Sequence, residues 1–91
     1  MVDAKIITKD PLGKRGLVIS KRDYETVKQA ILKALRKADL THAELVDELK
    51  TDLKGKFTGN INWYAVTVKL DLEAREIIER TSSKPQKYHL K

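Results

Sequence analysis

The stretch Asn60-Ile61-Asn62-Trp63-Tyr64-Ala65-Val66-Thr67-Val68-Lys69-Leu70-Asp71-Leu72-Glu73-Ala74-Arg75 decides what kind of fold this chain adopts, because it satisfies two periodicities at once. At period two, Val66, Val68, Leu70 and Leu72 alternate with Thr67, Lys69 and Asp71, the pattern of a half-buried strand. At the helical period, with a cap near Asn60, the residues Ile61, Ala65, Val68 and Leu72 fall on one face within about 60° of each other. Length arbitrates. The run exceeds a usual strand, it contains no turn signal, and Leu70 to Arg75 are mostly good helix formers. It reads as a helix, and the chain as mostly α.

Upstream, Thr41-His42-Ala43-Glu44 is a capping box, in which the Thr41 hydroxyl accepts from the Glu44 amide and the Glu44 carboxylate reaches back. Leu40 before the cap and Leu45 after it make a hydrophobic staple. Leu45, Val46, Leu49 and Leu53 continue as a core stripe until Gly55 and Gly59 end the helix. The preceding helix is capped by Ser20, with Asp23 favouring its positive end. Tyr24, Val27, Ile31, Leu35 and Ala38 recur there at spacings of three and four, with Ala34 beside them. Lys28, Lys33, Arg36 and Lys37 take the remaining surface. Only Asp39 and Leu40 separate the two helices, so they must cross sharply.

Downstream, Ile77-Ile78-Glu79-Arg80 and Lys87-Tyr88-His89-Leu90 flank the polar, turn-rich Thr81-Ser82-Ser83-Lys84-Pro85-Gln86, which reads as a hairpin. Residues 1–19 form an N-terminal arm. Lys5-Ile6-Ile7-Thr8 and Gly16-Leu17-Val18-Ile19 read either as short strands around a turn at Asp10-Pro11-Leu12-Gly13 or as an extended arm. The expected organisation is this arm followed by one domain over residues 20–91.

Composition narrows the function classes. The chain has 91 residues, no cysteine, two histidines and a net charge of +6. One small core fits that length. Disulfides, thiolate metal sites and thiol nucleophiles are excluded by the absence of cysteine. There is no apolar run of membrane-spanning length, and the start Met1-Val2-Asp3-Ala4-Lys5 lacks a signal-peptide core, so a cytoplasmic protein is expected. Charge is uneven: residues 1–22 carry six basic and two acidic side chains, 23–53 five and seven, and 54–91 eight and four. Basic ends of this kind attract polyanions through counterion release, and they also keep a small protein soluble.

The segment Leu72-Glu73-Ala74-Arg75-Glu76-Ile77-Ile78-Glu79-Arg80, following two helices and leading into a hairpin, resembles the junction between recognition helix and wing in winged-helix domains. There, a Leu-Glu pair near the helix end is followed by a glycine, two aliphatics, a spacer and an arginine. This chain departs from the pattern at Glu76, where glycine would enter the left-handed region cheaply. The resemblance spans about residues 20–91 and extends to small prokaryotic winged-helix proteins. It implies an α+β domain, a three-helix winged helix-turn-helix with a C-terminal wing, and DNA binding as in a small transcriptional regulator. By that analogy the third helix enters the major groove with Asn60, Asn62, Trp63, Thr67 and Lys69 as readers. In the wing, Arg80, Lys84 and Lys87 neutralise phosphates and Ser82 and Ser83 donate to them.

The residues themselves carry a competing reading. Lys69 is the only basic residue of the third helix before Arg75, and Asp71 and Glu73 oppose it. Trp63, Val66 and Leu70 cluster opposite the core stripe. Such a patch fits an N-terminal arm folded over it, a protein interface or dimer contact, or nucleic-acid contact. His42 reads as solvent-facing, His89 as an exposed strand residue, and Tyr24 and Tyr88 as packing residues with wet hydroxyls. Gly13-Lys14-Arg15-Gly16 lacks P-loop spacing. No cofactor, metal or catalytic constellation is expected, and the chain reads as a non-enzyme.

Overall fold

A computed structural model describes residues 4–9 and 16–91. The elements run β1 (Lys5–Ile7), β2 (Val18–Ser20), α1 (Lys21–Lys37), α2 (His42–Asp52), α3 (Ile61–Ala74), β3 (Ile78–Arg80) and β4 (Tyr88–Leu90). The result is a small α+β domain of three helices and two antiparallel hairpins. The Asp10–Gly13 turn and most of Gly13–Gly16 lie outside the described residues.

The ambiguous segment is helical. Asn60 Oδ1 accepts from the Trp63 amide at 3.0 Å, satisfying a donor that the first turn leaves free. Ala65, Val68 and Leu72 are fully buried and Ile61 packs against them. The helix ends by a Schellman arrangement: Ile77 N–H donates to Leu72 C=O at 2.9 Å and Glu76 N–H to Glu73 C=O at 3.0 Å. Glu76 itself takes φ 60°, so a side chain occupies the left-handed position that favours glycine.

The capping box at Thr41 and Glu44 is formed in both directions, with bonds of 2.9 and 3.2 Å. α1 buries Tyr24, Val27, Ala30, Ile31, Ala34 and Leu35; α2 buries Leu45, Val46 and Leu49. These residues and α3 form one core, closed from the strands by Ile19, Ile78 and Tyr88. Truncating a fully buried member such as Leu49 or Leu72 to Ala costs about 2–5 kcal/mol. Two expectations at the ends of α1 are corrected. Ser20 precedes the helix in extended backbone but makes no side-chain cap bond, being paired with Lys5 in the first hairpin. Ala38 is an exposed, extended C-cap residue and not part of the core stripe, because the chain leaves the helix there to reach β4.

The arm residues form strands. Lys5, Ile6 and Ile7 pair with Ser20, Ile19 and Val18, and the inner residue Ile19 meets the core while Ile7 and Val18 face outward. At the other end, Ile78 pairs with Leu90 and Arg80 with Tyr88. Leu40, in the short link between α1 and α2, bridges to Tyr88 by two backbone bonds of 2.7 and 3.2 Å. The second hairpin is therefore fastened to the helix link, and its turn Thr81–Lys87 is held away from the core.

Candidate nucleic-acid interface

Two buried polar clusters determine which side of α3 faces outward. On one flank, the Asp71 carboxylate is completely buried and accepts from the Tyr24 hydroxyl, from Lys9 N–H at 2.7 Å and from Arg75 Nε at 2.9 and 3.0 Å. Burial first, and Asp71 next, push the Tyr24 phenol far above its ordinary pKa, so it remains a donor. The bond that Arg75 itself makes to Asp71 raises the pKa of its guanidinium. Through Lys9 the same carboxylate ties the N-terminal arm to α3. A buried carboxylate is tolerated here because each partner replaces a lost water.

On the other flank, Lys69 is only 6% exposed. Its Nζ donates to Tyr88 Oη and to His42 Nδ1, each at 3.0 Å, and lies 4.3 Å from the centre of the Tyr88 ring. Burial first, and the Lys69 charge second, lower the His42 pKa, consistent with a neutral ring accepting from the ammonium. Lys69 thus joins α2, α3 and β4 from inside. This corrects its expected place on a groove-facing surface, and the same holds for Thr67, which is 8% exposed. Neither side chain is presented to a ligand. Tyr24 and Tyr88 are corrected with them, since their hydroxyls meet protein and not water; His42 is half-buried, with Nδ1 on Lys69.

Outward, α3 shows Asn62, Trp63 and Val66, with Leu70 half-buried beside them. Trp63 is 44% and Val66 40% exposed, so the described arm leaves both uncovered. Trp63 packs edge-on against Tyr64 at 4.9 Å, and Tyr64 against Phe57 at 5.0 Å, which fixes the indole on the surface. Asn60 is exposed, but its carbonyl oxygen is engaged by the cap. Among the described residues, α3 itself puts no cation on this outward face.

The wing residues are placed differently. Arg80 Nε donates to Glu73 Oε2 at 2.9 Å and its guanidinium lies 5.7 Å from the Tyr88 ring, so that cation is committed to α3. The bond to Glu73 raises its pKa. The other Glu73 oxygen is buried without a partner among the described residues. Ser82, Ser83 and Lys84 are exposed and Lys87 is half-buried. The turn is shaped by its own bonds: Thr81 N–H donates to Lys87 C=O at 2.8 Å, Lys87 N–H to Thr81 Oγ1 at 3.0 Å, and the Ser83 hydroxyl to Pro85 C=O at 3.1 Å. No acidic residue lies between Arg80 and Lys91. His89 Nε2 sits 2.9 Å from Glu79 across the hairpin.

The candidates therefore divide. Ser82, Ser83, Lys84 and Lys87 share one turn, Asn60 and Asn62 lie at the start of α3, Thr67 and Lys69 are buried, and Arg80 is exposed with its Nε held by Glu73. Asp71 was missed as a structural centre; its signal was a second charge set into an otherwise apolar helical run. Among the described residues no group of three His, Asp or Glu side chains is disposed to hold a metal ion. No helix among the described residues is long and apolar enough to cross a membrane.

Comparison with curated proteins finds no match, and comparison with solved structures finds none either. A family profile matches residues 5–88, nearly the whole chain and both polar clusters. The chain belongs to that family, DUF6958, a family of unknown function.

Proposed function

We propose that this protein is a winged-helix-type module that binds nucleic acid through the phosphate backbone, using its wing and basic ends and not base readout by α3. The observation that carries the reading is the acid-free turn at Thr81–Lys87. It presents Ser82, Ser83 and Lys84 to solvent, with Lys87 at its base, on a hairpin fastened to the helices by the Leu40–Tyr88 bridge. Three helices followed by such a hairpin, with the α1–α2 link pairing to its second strand, support the winged-helix resemblance. Backbone contact needs donors and cations at a projecting edge, and these residues supply them. Sequence discrimination is expected to be weak, because Thr67 and Lys69 are buried and the outward face of α3 is apolar.

The test is the salt dependence of duplex binding. Each phosphate neutralised contributes a slope of about −0.9 in log K against log salt, so Lys84→Ala with Lys87→Ala should flatten the slope by about two and weaken all sequences alike. An unchanged slope refutes the role of the wing. A transcriptional role and a cytoplasmic location belong to the same proposal.

A second reading is favoured by one specific observation, the exposure of Trp63 and Val66 on an uncharged helix face. In that reading the module associates with a second copy of itself through α3.

A further inference from the structure

We infer that α3 pairs antiparallel with α3 of a second copy, with Trp63 of each protomer packed over Leu70 of the other; this rests on the self-association reading. Three observations point to a copy of this chain as the occupant. First, the exposed stripe is self-complementary in shape. A large ring stands at one end and smaller aliphatics at Val66 and Leu70, seven residues or about 10 Å along the helix. A two-fold axis near Val66 places each ring on the other's aliphatic end, the isologous contact that closed dimers use.

Second, α3 differs from the other two helices in its charges. α1 and α2 carry an acid in the first turn and a base in the last, whereas α3 has no acid in its first turn and no base in its last. Arg75, at the C-cap, is turned back onto Asp71, so the dipole lacks a free charge of its own at either end, and an antiparallel neighbour compensates it at both. Third, the flanks are complementary in that register. The turn before α3 exposes Lys54 and Lys56, neither ion-paired among the described residues, and the turn after it exposes Glu76, whose surface pair with Lys91 at 3.0 Å leaves its carboxylate open to a second cation. Pairing Trp63 with Leu70 brings the Lys56 end of one protomer alongside the Glu76 end of the other. Among the described residues of α3, this face offers a nucleic acid no exposed cation.

Sedimentation equilibrium of the full chain from about 1 µM to 1 mM tests the inference. The expected result is a concentration-dependent dimer that Trp63→Asp weakens by about 30-fold or more, with helicity retained. Should Trp63→Asp unfold, Val66→Glu replaces it, because that side chain is 40% exposed and stands outside the core cluster. Lys56→Glu and Glu76→Lys are each expected to weaken the dimer about two- to fivefold, and the two together to restore it. A wild-type chain that stays monomeric at 1 mM overturns both the pairing and the self-association reading. A dimer indifferent to Trp63→Asp and Val66→Glu overturns the use of this face. A dimer lost with Trp63→Asp but not restored by the double charge exchange overturns the antiparallel register and leaves self-association through α3 standing.

Discussion

Glu76 offers a quantitative test of how α3 ends. At φ 60° its Cβ is in a left-handed conformation that costs an L-residue about 1–2 kcal/mol. The position is fixed by the bonds from Glu76 and Ile77 back to Glu73 and Leu72, which turn the chain into β3 and so set where the wing begins. The cleanest comparison is Glu76→Gly against Glu76→Ala, since both remove the exposed contact with Lys91. Glycine relieves the left-handed cost but adds freedom to the unfolded chain worth about 0.4–1 kcal/mol. The difference leaves the glycine variant more stable than the alanine variant by about 0.5–1 kcal/mol. For a domain of this size that is a rise of about 2–8 °C in Tm. Within a helix the order reverses, and Gln29→Gly should lie about 1 kcal/mol below Gln29→Ala at an exposed site of α1. Thermal and urea unfolding followed by circular dichroism measure both pairs. If alanine equals or exceeds glycine at position 76, the helix does not end in the left-handed turn and the junction has been misread.

Two further predictions concern the buried clusters. Asp71→Ala leaves the Tyr24 hydroxyl and the Lys9 amide without their acceptor and should cost about 3 kcal/mol in urea unfolding, with faster amide exchange in β1 than in α2. A loss below about 1 kcal/mol would show that this carboxylate does not hold the arm. His42 has its pKa lowered from the usual 6.5, so below that pH the unfolded chain binds a proton that the folded chain resists. The corresponding stability is complete above pH 6.5 and declines as the pH falls. His42→Gln should flatten that dependence, and Lys69→Met should raise the His42 midpoint in a ring-proton NMR titration. An unmoved midpoint in Lys69→Met contradicts the contact between them.

Much of the helical scaffold was legible because its signals are local. Thr41 and Glu44 cap α2 over four residues, and the stripes of α1 and α2 repeat within one helix. In residues 60–75 the two periodicities competed, and length with helix propensity decided correctly. The second hairpin followed from short apolar runs around a polar turn, the first was left open between short strands and an extended arm, and Glu76 was marked as the place where a glycine was expected.

What escaped was set by distant partners. Lys69 is buried because His42, 27 residues away, and Tyr88, 19 residues away, converge on it. Asp71 is buried because Tyr24 lies 47 residues off and Lys9 lies 62 off. A charged side chain in a sequence reads as surface by default, and only tertiary structure supplies the partners that make burial tolerable. Lys69 left the candidate interface for that reason, Thr67 left it by burial, and Arg80 stays exposed with its Nε on Glu73. The turn residues Ser82, Ser83, Lys84 and Lys87 stayed together because a hairpin loop keeps its neighbours in sequence close in space.

The most direct measurement of the proposed interface is an amide NMR titration of the protein with a short random-sequence duplex, at low and then at moderate salt. Shifts centred on Thr81–Lys87 and weakening steeply with salt, while Trp63, Val66 and Leu70 remain unmoved, are the predicted result. An unchanged wing, or salt-resistant shifts along α3 in place of it, would contradict backbone binding through the wing.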